Sequence, residues 1–243
     1  MPKKAINQNT NYDLELLDSI GSNFIFDKSP INRLKGNRIK FNEENNDKII
    51  NKEKALLELK EQINTIEDCN LKDNSKKIVM GDGDINSSIM IIGEAPGVEE
   101  DELGLTFMGE SGDLLKKMLA AINIKKEKIY STYAVNFRPP ENRKPSSIEI
   151  KRYSKFLQKH VSIINPKIII LMGSTAMESL TGLNNKISIE RGKWKEIIVK
   201  NSSYSVIITF NPSYLLRVPE NKKNSWEDLK KIKKKVIELQ IDI

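Results

Sequence analysis

The residues best suited to chemistry fall in three short segments. The first, GEAPGVEEDELGLTFMGESG (93–112), crowds Glu94, Glu99, Glu100 and Asp101 beside a turn made by Gly93, Pro96 and Gly97. Glycines flanking a proline let the backbone turn tightly and approach a ligand closely. An acidic loop without the P-loop lysine is a poor phosphate cradle. Its carboxylates suit a site that orients water or stabilises a developing cation; the alternative is a solvated acidic surface. The other two segments are FRPPENRKP (137–145), with Arg138 and Arg143, and NPSYLLR (211–217), which opens on Asn211 and closes on Arg217. Metal chemistry has little to work with. One cysteine, Cys69, makes neither an intramolecular disulfide nor an all-cysteine metal site, and one histidine, His160, makes no multi-histidine centre. His160 lies within a helical pattern and is expected at the surface or its boundary.

Each segment follows a run that reads as a strand. IMIIG (89–93) and KIIILMG (167–173) are continuously apolar and end in glycine, which marks buried parallel strands. IYSTYAV (129–135) and SVIITF (205–210) complete a set of four. Between them lie a loop and then a helix from about Ser111, with Leu114, Leu115, Met118, Leu119 and Ile122 on one face. A capping box at Ser146 and Glu149 opens a helix to about Ile164, and another helix spans Ser174 to Leu180. Trp226 to Gln240 reads as a basic terminal helix, its KKIKKK run (230–235) a solvated face. Strands alternating with helices predict an α/β fold: three α/β/α layers around a central four-stranded parallel sheet. In such sheets ligands bind outside the carboxyl ends of the strands, where all three segments sit.

The rest of the chain is polar. Residues 1–10 lack structure-forming residues, Asn11 to Ile20 suggests a short helix, and 35–51 reads as a linker ahead of a helix over Lys52 to Ile66. We therefore expect an N-terminal extension over 1–50 and one catalytic domain over 51–243. Lys+Arg total 40 against 33 Asp+Glu, a formal +7 that suits a polyanionic partner. The start has a basic tip but no apolar core of a secretory signal, and no stretch has the length to span a bilayer. A cytoplasmic protein acting as a monomer, with no membrane partner, is the expectation.

Taken together, these motifs resemble the family-4 uracil-DNA glycosylases of the uracil-DNA glycosylase superfamily. The family pattern GEAPG…ED…G.PF.G..G.LL is matched by Gly93–Gly97, Glu100–Asp101, Gly104, Phe107, Gly109, Gly112 and Leu114–Leu115. RPP.NR.P is matched by Arg138, Pro139, Pro140, Asn142, Arg143 and Pro145. HPSYLLR, followed by Lys and Trp, is matched by Asn211–Arg217, Lys222 or Lys223, and Trp226. The N-terminal part resembles an extension found in an alphaproteobacterial branch, with SPINR (29–33) and CNLK (69–72) as its traces.

The resemblance implies a hydrolase that flips a damaged base out of DNA and cuts its bond to the sugar. It implies that Glu94 and Glu100 serve the oxocarbenium-like sugar or its water, and that Asn211 donates to the departing base. It places Gly93, Ala95, Phe107 and Tyr133 around that base, with Phe107 stacking on it. It implies that Arg138, Arg143 and Arg217 neutralise phosphates, alongside Pro212 and Ser213, and that Leu215 wedges into the duplex. Each has a plainer alternative: core packing for Phe107, an apolar helix start for Leu215, surface salt bridges for the arginines.

The chain departs from the family in three places. The family commonly holds a four-iron four-sulfur cluster on four cysteines; only Cys69 remains, Phe137 and Tyr153 standing at two of the other positions, so no cofactor and no metal is expected. Tyr133 falls where the family's uracil-reading Asn would be, and a hydroxyl cannot copy an amide's paired donor and acceptor. Asn136 could replace it only if the loop is re-drawn, since strand alternation turns it away. Asn211 replaces the motif His. These changes leave a second reading open, a DNA-binding protein of the same fold with weak or no activity. A nucleotide-binding α/β protein is a third, weakened by the absence of a Gly-rich phosphate loop.

Overall fold

The computed structural model describes residues 40–242. The expected Asn11–Ile20 helix and the SPINR stretch lie outside the described residues. Sheet strands are β1 (Asp82–Gly83), β2 (Ile89–Gly93), β3 (Tyr130–Tyr133), β4 (Ile168–Met172), β5 (Trp194–Val199) and β6 (Ser202–Thr209), in the order β1-β3-β2-β4-β6-β5. The four central strands are parallel, as the alternation of strands and helices predicts. An antiparallel strand borders each edge, β1 on β3 and β5 on β6. WKEIIV was not foreseen as a strand. It is an edge strand paired only with β6, and Val199 alone among its six residues is buried, so it lacks a buried apolar run.

Strand alternation sorts the core into two layers. Ile89, Ile91, Ile170 and Ile207 face one side, against Leu115, Leu119 and Ile122 of the α4 region (α4, Gly109–Ala120) and Leu229, Ile232 and Val236 of α9 (Lys222–Glu238). Met90, Ile92, Ile169, Leu171, Val206 and Ile208 face the other, against α5 (Ser147–Ile164) and α6 (Ser174–Thr181). Each of these isoleucines is at most 1% exposed, and burying such a side chain contributes about 1.5–3 kcal/mol before the entropy of ordering it. The Ser146–Glu149 capping box forms as read, Glu149 N donating to Ser146 Oγ (3.3 Å) and Ser146 N to the Glu149 carboxylate (2.7 Å).

Three expectations are corrected. The polar stretch taken for a linker is helical from Lys40, in a helix α1 (Lys40–Asn64): Lys and Glu are good helix formers, and no Pro or Gly interrupts them. VEEDEL, read as loop, forms a short helix α3 (Val98–Leu103), its acidic first turn complementing the N-terminal end of the helix dipole. His160 is buried at 2% exposure, bonded through Nε2 to the Tyr130 hydroxyl (2.9 Å). Burial lowers its pKa to about 3, so the ring is neutral.

Among the remaining short helices, α2 (Asn70–Asp73) packs Leu71 into a third cluster with Leu59, Ile63, Cys69, Val135, Phe137 and Tyr153. The helices α7 (Ile187–Glu190) and α8 (Pro212–Arg217) flank the carboxyl ends of the central strands.

Candidate active site

A cavity of about 980 Å³ opens at the carboxyl ends of the parallel strands. Glu94, Phe107, Tyr133 and Asn211, from three separate segments, all line it, with Ala95 and Ser213.

Glu94 follows β2 directly and is half-buried. Its Oε1 accepts from the Thr175 backbone N–H (3.0 Å) and the Ser174 hydroxyl (3.4 Å), and its Oε2 from Asn211 Nδ2 (3.4 Å). The carboxylate thus rests on the first turn of α6, where unpaired N–H groups favour an anion. Gly173 makes room for it. It has φ +104°, and a Cβ there would meet Glu94 Cδ at 2.4 Å. GSTA (173–176) was not singled out in the sequence, where it read only as a helix start.

Asn211 caps α8. Its Oδ1 accepts from both the Ser213 backbone N–H and the Ser213 hydroxyl, each at 3.0 Å. The backbone donor fixes the orientation of the amide, because only the oxygen end can accept it. The NH₂ end is therefore turned to the Glu94 carboxylate and, at 3.5 Å, the Met172 carbonyl. Pro212 is buried in the first turn of α8.

Glu100 has a different task from the one expected of it. It is 6% exposed, and its oxygens accept from Gly97 N (2.9 Å), Met108 N (2.9 Å) and the Tyr133 hydroxyl (3.2 Å). It clamps the GEAPG turn to the Phe107 segment while still lining the cavity. The Tyr133 hydroxyl is likewise committed: it donates to Glu100 and accepts from Phe107 N at 2.9 Å. It does not offer the cavity a hydrogen bond. Burial, reinforced by the Glu100 charge, pushes this phenol well above its ordinary pKa, so it stays neutral.

The Tyr133 and Phe107 rings pack 5.1 Å apart, and Gly93 lets them close over the end of β2, since a Cβ there would stand 2.6 Å from Tyr133 Cε1. Behind Phe107, Asp82 accepts from Thr106 N and Oγ1 and from Ser131 Oγ, at 2.8–2.9 Å. Asn136 is not part of the site: its amide donates to the Val79 carbonyl.

The expected DNA-contacting residues divide. Arg217 is exposed at the cavity rim, with Lys144 and Lys186. Arg143 lines the rim but forms a bidentate pair with Glu149 at 2.7–2.8 Å, which, with the Ser146 bonds, holds that carboxyl down at about 2. Arg138 lies off the cavity, its Nε on Asn142 Oδ1 (2.8 Å). Leu215 cannot be the wedge in this conformation: it is 1% exposed within the core, whereas Leu216 is 38% exposed. The helical turn of α8 decides which leucine points out, and the motif alone does not show that.

The residues at the expected cluster position do not fit an iron–sulfur group. Cys69 Sγ is 3.3 Å from the Tyr153 hydroxyl, and the Phe137 and Tyr153 rings meet edge-on at 6.5 Å between centroids. Phenylalanine offers no ligand, and one thiolate cannot hold a cluster. No group of three or more His, Cys, Asp or Glu among the described residues is placed to bind a metal ion, and no described helix is long and apolar enough to cross a membrane.

A parallel sheet presenting a carboxylate, an amide donor and a buried aromatic to one cavity with a basic rim is the plan of a base-excising glycosylase. Residues 80–230 match the family described as Uracil DNA glycosylase superfamily, and the chain belongs to it. It is 34% identical to the Type-4 uracil-DNA glycosylase of Thermotoga maritima over 184 residues, covering 75% of this chain and 95% of that protein. The Type-4 uracil-DNA glycosylases of Pyrobaculum aerophilum and Archaeoglobus fulgidus are each 31% identical, over 72% and 73% of this chain and 91% and 92% of theirs.

Proposed function

We propose that this chain is a monofunctional DNA glycosylase of base excision repair, hydrolysing the bond between sugar and uracil, or another deaminated base, flipped out of DNA. The convergence of Glu94, Phe107 and Asn211 on one cavity carries this reading. Phe107 is placed to stack on the base. The Asn211 NH₂, oriented by Ser213 and making only long contacts to Glu94 (3.4 Å) and the Met172 carbonyl (3.5 Å), exchanges one of them to donate to the base as it leaves with the bonding electrons. Glu94, anchored on the first turn of α6, stabilises positive charge on the sugar and orients the attacking water. Arg138 and Arg217 serve phosphates, and Leu216, in place of Leu215, enters the duplex.

Residues 51–243 form the catalytic domain in this reading and 1–50 an extension. A monomer acting in the cytoplasm completes this reading. The packing of Phe137 against Tyr153 supports function without an iron–sulfur cluster; iron bound stoichiometrically to protein purified without oxygen would overturn that part.

The test is purified full chain on single- and double-stranded oligonucleotides bearing uracil, hypoxanthine or xanthine, followed by alkali. Strand cleavage at uracil is expected. The committed Tyr133 hydroxyl favours a second reading, a DNA-binding protein with little activity. Salt-sensitive binding with no base released, restored by Tyr133→Asn with Asn211→His, would select it over the first.

A further inference from the structure

One buried charged group lies outside the cavity and has no part in the chemistry described so far. Asp228, on α9, is fully buried. Its Oδ1 accepts from Arg191 Nη2 (2.6 Å), and its Oδ2 from Arg191 Nε (3.0 Å) and from Thr209 Oγ1 (2.9 Å). Arg191 also donates to the Asn224 carbonyl and lies 5.5 Å over the Phe210 ring. Next to it, Lys231 Nζ donates to the Gly192 carbonyl (2.7 Å), and Gly192 has φ +68°, a Cβ there meeting Asp228 Oδ1 at 2.3 Å.

A buried ion pair is a poor source of stability, because desolvation offsets most of the attraction. What it supplies is a fixed geometry, and the place fixed here is informative. Thr209 ends β6 and immediately precedes Phe210 and Asn211, both of which line the cavity. Its own carbonyl accepts from Gly173 N (3.0 Å), the residue that opens α6 and makes room for Glu94. One threonine therefore touches both arms of the site. Its side chain is held by Asp228, its carbonyl holds the turn on which Glu94 rests, and its chain neighbours deliver Asn211.

We infer that Thr209 and Asp228 are positioning residues for the glycosylase reaction: they set the separation of the Glu94 carboxylate and the Asn211 amide without touching substrate. This rests on the proposed function for its kinetic readout. Removing one partner of the ion pair strongly destabilises such a core, so Thr209→Val is the informative variant and Asp228→Asn the second. Single-turnover base release is measured beside DNA affinity and melting temperature on the full chain. Thr209→Val is expected to slow release about tenfold to a hundredfold with DNA affinity unchanged, and Thr209→Ser to restore the rate. The side-chain amide resonance of Asn211, assigned by its loss in Asn211→Ala, is expected to shift in Thr209→Val and return in Thr209→Ser. That signal is read whether or not the protein releases a base, so failure of the glycosylase reading and failure of this inference are separate results. An unmoved resonance, or a rate loss that only tracks lost folded protein and is not rescued by serine, overturns the inference.

Discussion

At the scale of the residue, two carboxylates six positions apart in the chain look alike in sequence and differ in the fold. Glu94 keeps an edge on the cavity; Glu100 is enclosed by three donors. Replacing Glu94 by Gln is expected to lower the rate of base release by about 10²–10³, with DNA affinity kept, because the charge acts on the transition state. Single-turnover kinetics and a binding titration check this. Tyr133→Phe removes the acceptor of the buried Phe107 N–H and one donor of Glu100. A buried unsatisfied donor costs about 1–3 kcal/mol, so denaturant unfolding is expected to show a loss of that size. The motif marked Glu94, Phe107, Tyr133 and Asn211 as neighbours, and all four line one cavity. It did not show that Tyr133 spends its hydroxyl internally, nor that Leu216 faces out. Those facts depend on partners far away in the chain, such as Phe107 N for Tyr133.

At the scale of the element, apolar runs made β2 and β4 legible, since a strand buried on both faces has no polar phase, while β3, with Ser131 and Thr132 buried, was placed by its alternation with the helices. The amphipathic edge strand β5 and the helix α3 were missed for the converse reason: half-exposed segments share their composition with loops. The α5 cap was legible from Ser146 and Glu149 alone, and it gives a test. The Glu149 carboxyl, held at about 2 against an ordinary 4.5, is favoured as an anion in the folded state. A depressed acid contributes stability above its unfolded pKa and loses it as pH falls through the folded value. Glu149→Gln is therefore expected to lower the melting temperature at neutral pH, by the equivalent of about 1 kcal/mol for a partly exposed pair. The difference between the two proteins should shrink from about pH 4.5 downwards and be mostly lost by pH 2. A difference that persists at pH 2 would place the effect in packing, not charge.

At the scale of the whole molecule, the formal +7 said only that a polyanion suits the protein. The fold localises part of that charge to the cavity mouth, in Arg217, Lys144 and Lys186, and removes Arg143 from the account by pairing it with Glu149. Each phosphate neutralised adds about 0.9 to the slope of log affinity against log salt. Arg217→Gln is expected to weaken DNA binding alike for damaged and undamaged duplex and to reduce that slope by about 1, measured by titration across salt concentrations. Arg143→Gln is expected to change the slope less.

Glu94 and Asn211 meet across 117 positions of chain, and the aspartate that braces them stands later still, at 228. A polypeptide emerging from the ribosome would carry its acidic turn and stacking ring long before the amide arm and its brace arrive. Competence to excise a base is thus withheld until α9 has been made, and a product truncated ahead of that helix would be inert rather than half-active on the genome.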